Sequence, residues 1–296
     1  MSTAIPCYPA VRPPEIPDRE LLESCLRSIQ PVISELCFAN LFLFRHAHHY
    51  TLSRFNDSLV IFGRDYGGLP YVLPPLSGDR GETARKLLDG GNILYGVDEL
   101  FLAQHLTGRG SPVIEDRDNA DYLYLRSDLA ELPGARFHNK RNRIRYFTSR
   151  HTFAVEPFSG QHSAAALHLL DIWQHHHKHD GSPSQQAEAA ATREGLKRAD
   201  ELGLSGVVIV TGGEVSAFAL GRPLNDLTVV CLFEKSDPAL EGAAQLVNRE
   251  FSRFQPPGCT YINREQDLGN QGLKEAKNSY HPVEMIRKFR VVSHTM

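Results

Sequence analysis

The chain has 296 residues and a mass of 33.1 kDa, a length that suits two domains of ordinary size. Hydrophobic residues make up 41% and charged residues 23% of the chain, with a mean hydropathy of -0.32, so the composition excludes disordered, collagen-like and coiled-coil proteins. The net charge of -3 provides no general positive field, so any site for nucleic acid or another anion has to be local. No apolar run approaches the roughly 20 residues that a membrane-spanning helix needs, and we expect no integral membrane segment.

The amino-terminal residues and the cysteines give no sign of export. Residues 1–18 contain several prolines and lack the apolar core of an export signal, so we interpret them as a loose leader and expect a cytoplasmic protein. The five cysteines include no CxxC pair, which argues against a disulfide framework and a zinc knuckle. His175 and His179 have the i, i+4 spacing of a metal-binding pair. The HExxH pattern is missing, however, and a helix end favours imidazolium, so we expect no metal site.

Residues 19–150 are predicted to form a first half that mixes helices with short strands. The spacing of the apolar residues and the turn residues between them assign its elements. The predicted elements are a helix over 19–34, a hairpin over 50–62 that turns at Asn56 and Asp57, a helix over 81–88 that stops at Gly90, a short helix over 99–106 and a strand over 122–125.

The segment 135–150 at the end of this half is strongly basic. It contains no acidic residue and six basic ones, which are Arg136, Lys140, Arg141, Arg143, Arg145 and Arg150. One interpretation is a helix that binds transfer RNA or another polyphosphate, since each phosphate contact would come from a positive side chain. The other interpretation is a solvated helix whose arginines pair with acidic residues of the other half. The sequence leaves both open.

Residues 151–296 are predicted to form a second half with the element order ααβββαβαβ. The predicted elements are helices over 164–177 and 184–202, antiparallel strands over 206–210, 215–221 and 227–233, a helix over 238–254, a strand over 261–263, a helix over 271–278 and a strand over 286–292.

This order resembles that of GNAT-type acyltransferases, and residues 261–282 carry a more specific resemblance. They closely resemble the signature of the phosphatidylglycerol lysyltransferase C-terminal domain family. In that signature a strand ending in Asn precedes an acidic residue, a Gly and the pattern G-L-[RK]-x-x-K-x-x-[YF]-x-P. The fixed places of this pattern are occupied by Gly272, Leu273, Lys274, Lys277, Tyr280 and Pro282. Residues 38–41, 121–142 and 233–251 also contain pieces that resemble soluble members, so the resemblance covers nearly the whole chain.

The resemblance implies an α/β (α+β) fold of two tandem GNAT-like halves, with mostly antiparallel mixed sheets flanked by helices. The same architecture occurs in peptidoglycan-building aminoacyltransferases that use aminoacyl-tRNA. Membrane-bound lysyltransferases carry many spanning helices before this domain and the present sequence carries none, so a lipid headgroup is a less expected acceptor than a small molecule.

One turn bears on the identity of the acyl donor. In GNAT enzymes a turn with the pattern [QR]-x-x-G-x-[GA] binds the pyrophosphate of coenzyme A. Gly242, Ala243 and Ala244 match its second half and are the candidate cofactor-binding residues. Ala239 stands where Gln or Arg is expected, and Glu241 adds a charge that repels phosphate. No cofactor is therefore assigned, and aminoacyl-tRNA is favoured over acyl-coenzyme A as the donor.

Acyl transfer needs a base for the attacking group and an acid for the leaving group. Glu265 or Asp267 is the candidate base and Tyr280 the candidate acid, whereas the alternative is a solvated loop with Asp267 as a helix cap. Lys274 and Lys277, three residues apart, could hold a phosphate. The other candidate substrate-binding residues are Asn263, which ends the signature strand, Lys140, Arg141 and Asn142, expected where the halves meet, and Glu188, which resembles an acidic position of the family.

These features predict a bacterial-type acyltransferase or aminoacyltransferase that moves its group from an activated ester to an amine or a hydroxyl. Direct attack within a ternary complex is expected, without a covalent enzyme intermediate. The alternative is a non-catalytic GNAT-like protein that binds a phosphorylated metabolite or RNA, since fold alone does not determine function.

Overall fold

The structure is a computed structural model that describes residues 4–108, 110–176 and 181–293. The strands are β1 (Thr51–Phe55), β2 (Ser58–Arg64), β3 (Pro70–Val72), β4 (Leu94–Val97), β5 (Val113–Glu115), β6 (Asp121–Leu125), β7 (Phe153–Pro157), β8 (Ser205–Thr211), β9 (Glu214–Pro223), β10 (Thr228–Ser236), β11 (Tyr261–Asn263), β12 (Glu284–Ile286) and β13 (Phe289–Val291). The α-helices are α1 (Arg19–Ile29), α2 (Phe38–Leu43), α3 (Arg80–Asp89), α4 (Glu99–Phe101), α5 (Arg126–Glu131), α6 (His138–Thr148), α7 (Ser163–His176), α8 (Pro183–Lys197), α9 (Ala199–Leu202), α10 (Ala243–Phe254) and α11 (Gln271–Asn278).

The chain divides into two compact units, and each unit consists of more than one segment of the chain. The first unit holds the residues up to Asp121, the short segment Gln266–Gln271 and the segment from Met285 onward. The second unit holds Tyr122–Glu265 and Gly272–Glu284. This division differs from the expected boundary after residue 150, because the basic helix α6 belongs to the second unit and the last strand to the first.

The first unit is built on a six-stranded sheet with the order β1-β2-β3-β4-β13-β5. The predicted hairpin is confirmed, since β1 and β2 pair antiparallel and turn at Asn56, whose φ of 53° is left-handed. The core of the unit combines the apolar face of α3 with side chains from the sheet. It includes Val60, Val72, Ala84, Leu87, Leu88, Leu94, Val97 and Val291.

The amino-terminal segment packs on this sheet, whereas the sequence suggested a loose leader. Arg12 and Leu52 exchange backbone hydrogen bonds, and the backbone N–H of Tyr8 donates to the carbonyl of Arg54. The guanidinium of Arg12 forms an ion pair with the buried carboxylate of Asp18 at 2.6 Å. From Pro6 to Arg12 the chain therefore lies along the edge strand β1.

The second unit is built on a seven-stranded sheet with the order β12-β6-β11-β10-β9-β8-β7. The expected antiparallel run of three strands is confirmed as β8, β9 and β10, and both α7 and α10 pack on it. Helix α10 begins at Ala243, five residues later than predicted, because Gly242 before it has a left-handed φ of 95°. Among the described residues, no helix combines the length and the apolarity that crossing a membrane requires.

Strand β10 loses its neighbour β11 part-way along its length. β11 pairs parallel with β10 only from Thr228 to Val230, opposite Tyr261 to Asn263. Strand β10 continues to Ser236 against β9, with an irregular register between Cys231 and Phe233. The chain leaves β11 after Asn263 and no longer follows β10, so the side chains beyond this point can converge from several elements.

Candidate functional site

Three polar side chains fill the space where β10 and β11 separate. Glu234 comes from β10, Arg264 directly follows β11, and Asn248 lies on the buried face of α10. Arg264 Nη2 donates to Glu234 Oε1 at 3.0 Å, and Asn248 Nδ2 donates to Glu234 Oε2 at 2.8 Å. Both carboxylate oxygens of Glu234 are therefore held by partners on other elements.

The guanidinium of Arg264 is buried except for a small part, its side chain being 15% exposed. Burial by itself would lower the pKa of Arg264, but Glu234 and the neighbouring Tyr124 and Tyr280 together raise this pKa above its ordinary value. Among the described residues, Arg264 Nη1 and Asn248 Oδ1 are buried without a hydrogen-bond partner. A carboxylate only accepts hydrogen bonds, so Asn248 has to turn its amide nitrogen toward Glu234, which leaves its oxygen unpaired. Such buried, unpaired groups are uncommon in folded proteins.

Lys140 and Tyr280, two candidate residues far apart in sequence, meet beside this cluster. The ammonium of Lys140 on α6 lies 3.9 Å from the centre of the Tyr280 ring and donates to Ser279 Oγ at 2.6 Å. The Arg264 guanidinium carbon lies 4.7 Å from the centre of the same ring. Within the described residues the Tyr280 hydroxyl makes no hydrogen bond, so it remains available as a donor.

The environment changes the acidity of both groups. Burial, helped by the positive charges of Arg264 and Arg143, lowers the pKa of Lys140 to about 8. Burial raises the pKa of Tyr280 well above its ordinary value, although Arg264 opposes this effect. At neutral pH Tyr280 therefore keeps its proton, while a fraction of Lys140 is a free amine.

The other candidates near Tyr280 have different positions. Lys277 donates to the backbone carbonyls of Arg264 and Glu265, the second at 3.1 Å, so its ammonium holds α11 against the loop after β11. Lys274 is exposed on the surface of α11. The two lysines therefore differ in role, and only Lys274 is left to meet a phosphate in solution.

Asn263 and Glu265 shape the loop between β11 and α11. The amide oxygen of the fully buried Asn263 accepts the backbone N–H of Glu265 at 2.8 Å. Glu265 has a left-handed φ of 56°, and its carbonyl accepts from the backbone N–H of Tyr122. Asn263 thus acts on the loop conformation, and through it on the direction of Arg264.

Asp267 belongs to the first unit, and its carboxylate is engaged in that unit. It is 1% exposed, forms an ion pair with Arg117 at 3.3 Å and accepts the backbone N–H of Gly269 at 2.9 Å. Arg117 and the turn at Gly269, which precedes α11, account for the conformation of the Asp267 side chain. Of the two candidate bases, this carboxylate is the less accessible.

Two arginines of the basic segment 135–150 form ion pairs within the second unit. Arg136 pairs with Asp128 of α5 at 2.6 Å, and Arg143 pairs with Glu241 at 3.0 Å. Arg141 donates to the backbone carbonyls of Leu132 and Gly134, and Asn142 bonds to His138 on the same helix. Arg145 is exposed, and Arg150 lies over the ring of Tyr146 at 3.7 Å. Part of the charge is thus neutralised, whereas no carboxylate partner is seen within the described residues for the exposed Arg145 and Arg150.

The helix start predicted to cradle a pyrophosphate is covered by α6. A Cβ atom on Gly242 would lie 2.1 Å from the carbonyl oxygen of Arg143 and 2.9 Å from Phe147 Cβ. Ala243 is fully buried and Ala244 is half-buried. The backbone of α6 therefore packs directly against the Cα of Gly242, where no side chain fits.

Glu188 lies elsewhere in the second unit and neutralises a buried lysine. Its carboxylate accepts from Lys235 Nζ at 2.5 Å, and this ammonium lies 4.0 Å from the centre of the Trp173 ring. An open depression of about 450 Å³ lies nearby between α7 and α8, and its lining includes Gln174, Gln186 and Arg193. Arg193 is already bonded to Asp171 and Gln174, and the depression contains none of the candidate residues.

A metal ion finds no ready site in the part of the chain that the structure describes. Groups of three or more His, Cys, Asp or Glu side chains that could hold an ion are absent from it. His175 lies at the end of α7, whereas His179 is outside the described residues.

A known protein family matches nearly the whole chain. A family model described as phosphatidylglycerol lysyltransferase, C-terminal, matches residues 26–292. The chain belongs to this family. Comparison with curated proteins gives no significant match.

Solved structures extend the comparison. A conserved protein of unknown function from Bacteroides thetaiotaomicron VPI-5482 is 29% identical, with a TM-score of 0.87 over 96% of this chain and 99% of that chain. The L-PGS from Bacillus licheniformis is 16% identical, with a TM-score of 0.63 over 95% and 93% of the two chains. FemX is 12% identical, with a TM-score of 0.50 over 97% and 98%. The expected α/β class with tandem GNAT-like halves is confirmed, and the fold is shared with L-PGS and FemX.

Sequence reasoning missed Arg264, Glu234 and Asn248, the three members of the polar cluster. Arg264 stands between Asn263 and Glu265, both singled out, but an arginine after a strand looks like an ordinary loop residue. Asn248 carried a usable signal, because it interrupts the buried face of α10 beside Val247 and Phe251. A polar residue on such a face needs a partner, and that partner is Glu234.

Proposed function

We propose that this chain transfers an acyl or aminoacyl group from an activated ester to an amine or a hydroxyl, at the site formed by Arg264, Glu234, Asn248, Lys140 and Tyr280. The observation that carries the proposal is the meeting of Lys140 and Tyr280 over the Arg264 guanidinium. A proton donor, a partly deprotonated amine and a fixed positive charge thus lie together, which is the set of groups that acyl transfer needs.

The proposed roles of Arg264, Tyr280 and Glu265 follow from their chemistry. The positive charge of Arg264 polarises the acyl carbonyl and stabilises the oxyanion that forms when the acceptor attacks. The Tyr280 hydroxyl donates its proton to the departing oxygen or sulfur atom, because its raised pKa keeps that proton in place until then. Glu265, directly after Arg264, is the proposed base for the acceptor, in preference to the buried and ion-paired Asp267. Asn263 and Lys277 position the loop that carries these residues.

The proposed donor is an aminoacyl-tRNA in preference to acyl-coenzyme A. Two observations support this choice. The helix start at Gly242 and Ala243 is packed against α6, which leaves little room for a pyrophosphate there. Arg145 near the end of α6 and Arg150 just after it are exposed and are suited to contact a phosphate backbone, to which Lys274 of α11 adds a further exposed charge. The proposed acceptor is a small molecule or a lipid headgroup with an amine or a hydroxyl.

Donor binding is the first test, by thermal shift and filter binding with mixed aminoacyl-tRNA, acetyl-coenzyme A and coenzyme A at low and high salt. We expect stabilisation by charged tRNA that weakens as salt rises, since phosphate contacts release counterions. Stabilisation by the coenzymes alone would contradict the proposed donor.

Catalysis is the second test, by comparison of Tyr280→Phe with the control Tyr146→Phe, an exposed tyrosine of α6. Release of the acyl group to acceptor or water should fall by about 10²-fold or more in Tyr280→Phe with donor affinity retained, and should stay unchanged in Tyr146→Phe. Equal turnover of the two variants would favour the alternative, a GNAT-like protein that binds a phosphorylated metabolite or RNA without catalysis.

A further inference from the structure

The lysines of the chain differ sharply in their surroundings. Seven of them lie in the described residues, and most have a partner that ties up the ammonium. Lys86 pairs with Glu82, Lys235 pairs with Glu188, and Lys288 lies between Glu35 and Asp121. Lys277 donates to two backbone carbonyls. Lys197 and Lys274 are exposed on helix surfaces.

Lys140 fits neither group, because it is half-buried and no carboxylate contacts its ammonium within the described residues. Its contacts are a hydroxyl, Ser279 Oγ at 2.6 Å, and the face of the Tyr280 ring. Ser279 donates its own proton to the carbonyl of Ala276, so toward Lys140 it only accepts. The side chain is thus held in place without a negative charge that would stabilise its ammonium form.

The charged groups that face Lys140 are mostly positive. Arg143 lies on the same helix, and Arg264 approaches from the loop after β11. Glu234 of β10 opposes them, but it is already bonded to Arg264 and Asn248. The remaining titratable neighbour is Tyr280, which keeps its proton at neutral pH. Two cations and partial burial therefore favour the free amine over the ammonium.

We propose that Lys140 is a site of covalent acylation by activated acyl groups, namely esters, thioesters and acyl phosphates. The free amine attacks the acyl carbonyl, a new N–C amide bond forms, and the C–O or C–S bond of the donor breaks. The leaving oxygen or sulfur departs with the bonding electrons, and the proton lost from the lysine nitrogen passes to it or to water. The reaction needs no oxidant, reductant or further reactant. It goes beyond the proposed function and does not depend on it, because a small acyl donor is sufficient.

Acylation at this position would change the site. The amide carries no charge, so the positive charge of Lys140, which lies over the Tyr280 ring and near Arg264, is lost. The added acyl group also takes up space beside the Tyr280 ring. Modification of Lys140 is thus a route by which the acyl donor supply of the cell would act on this protein.

The test is acetylation of the purified full chain by acetyl phosphate and, separately, by acetyl-coenzyme A, followed by peptide mass mapping over pH 6.5–9.5. A lysine ordinarily loses its proton near pH 10.4, and each pH unit below the pKa costs tenfold in free amine. At pH 7.5 we expect Lys140 to react at least about tenfold faster than the exposed control Lys274. The rate at Lys140 should level off above pH 8.

Two variants separate this prediction from general lysine reactivity. Lys274→Arg should leave the acetylation of Lys140 unchanged. Arg143→Gln removes one of the cations that favour the free amine, so it should slow acetylation of Lys140 at pH 7.5 without changing that of Lys274. The proposal is overturned if Lys140 reacts no faster than Lys274 with both donors, or if Arg143→Gln leaves its rate unchanged. Neither result depends on enzymatic turnover, so failure here leaves the proposed transferase activity to its own tests.

Discussion

Replacement of Lys288 by methionine should strongly destabilise the first unit. Its ammonium is 0% exposed and donates to Glu35 Oε1 at 2.8 Å, to Glu35 Oε2 at 2.6 Å and to Asp121 Oδ1 at 2.7 Å. Ser34 and Tyr95 complete the network with hydrogen bonds to Asp121 and Glu35. Methionine fills a similar volume but leaves two buried carboxylates without a cation. Breaking one partner of such a network costs about 3–5 kcal/mol in the free energy of unfolding.

The size of this loss should depend on pH. Burial raises the pKa of Glu35 above its ordinary value and the charge of Asp121 adds to this, while Lys288 acts in the opposite direction. In Lys288→Met that opposing charge is gone, so the pKa of Glu35 rises further. A carboxyl group with a raised folded pKa contributes stability below its unfolded pKa and loses it as pH rises through the folded value. The loss in Lys288→Met should therefore be smaller at pH 5 than at pH 8.

Urea denaturation followed by far-UV circular dichroism at both pH values measures these effects. The matched control is Arg287→Met at the neighbouring position, where the side chain is 47% exposed and pairs with Glu99 and Glu115 at the surface. Exposed ion pairs contribute at most about 1 kcal/mol, so this variant should remain close to the unsubstituted protein. A loss below about 1 kcal/mol in Lys288→Met, or a loss that grows as pH falls, would refute the reasoning.

Two further predictions concern the second unit. Gly242→Ala introduces a Cβ 2.1 Å from the Arg143 carbonyl oxygen at a left-handed φ of 95°, so the free energy of unfolding should fall by about 2 kcal/mol or more. The control Gly213→Ala, also at positive φ but in open space, should cost only about 1 kcal/mol in urea denaturation, and equal losses would contradict the reasoning. Lys277→Met removes the bonds that hold α11 to the loop after β11, so hydrogen exchange of the α11 amides should become faster, with Lys274→Met unchanged. Unchanged exchange in Lys277→Met would show that packing alone holds the helix.

Local patterns allowed most elements to be predicted from the sequence. The turn at Asn56 and the strands β8, β9 and β10 depend on residues close together in the chain, and all were located within a few positions. The helix predicted over 184–202 ends before Gly203 as expected, but it is interrupted at Arg198 and forms α8 and α9. The last segment is different. A single strand over 286–292 was predicted, but the chain breaks pairing at Lys288, and β12 and β13 on either side of it join different sheets. The buried charge of Lys288 marks this break, and only the partners Glu35 and Asp121 explain why a lysine is buried there.

The candidate site divides in the same way. Lys140 and Tyr280 could each be singled out from the sequence, but their contact joins positions that are far apart in the chain and depends on how α6 packs. Asp267 and Glu265 looked equivalent as acidic residues after a strand. The structure distinguishes them, because Arg117 and Gly269 engage the carboxylate of Asp267 in the first unit. Sequence spacing gives residue types and order, whereas exposure and ion pairing depend on distant partners.

The placement of α6 links the nature of the site to the choice of donor. The helix brings Lys140 to Tyr280, and one turn further along it places the Arg143 carbonyl against Gly242, at the start of α10. Any rearrangement that moves α6 away from Gly242 would also move Lys140 relative to Tyr280, because both contacts are made by the same helix. The two features are therefore coupled. If the Lys140 and Tyr280 contact is needed for acyl transfer, the donor has to reach the site from a direction other than the helix start at Gly242.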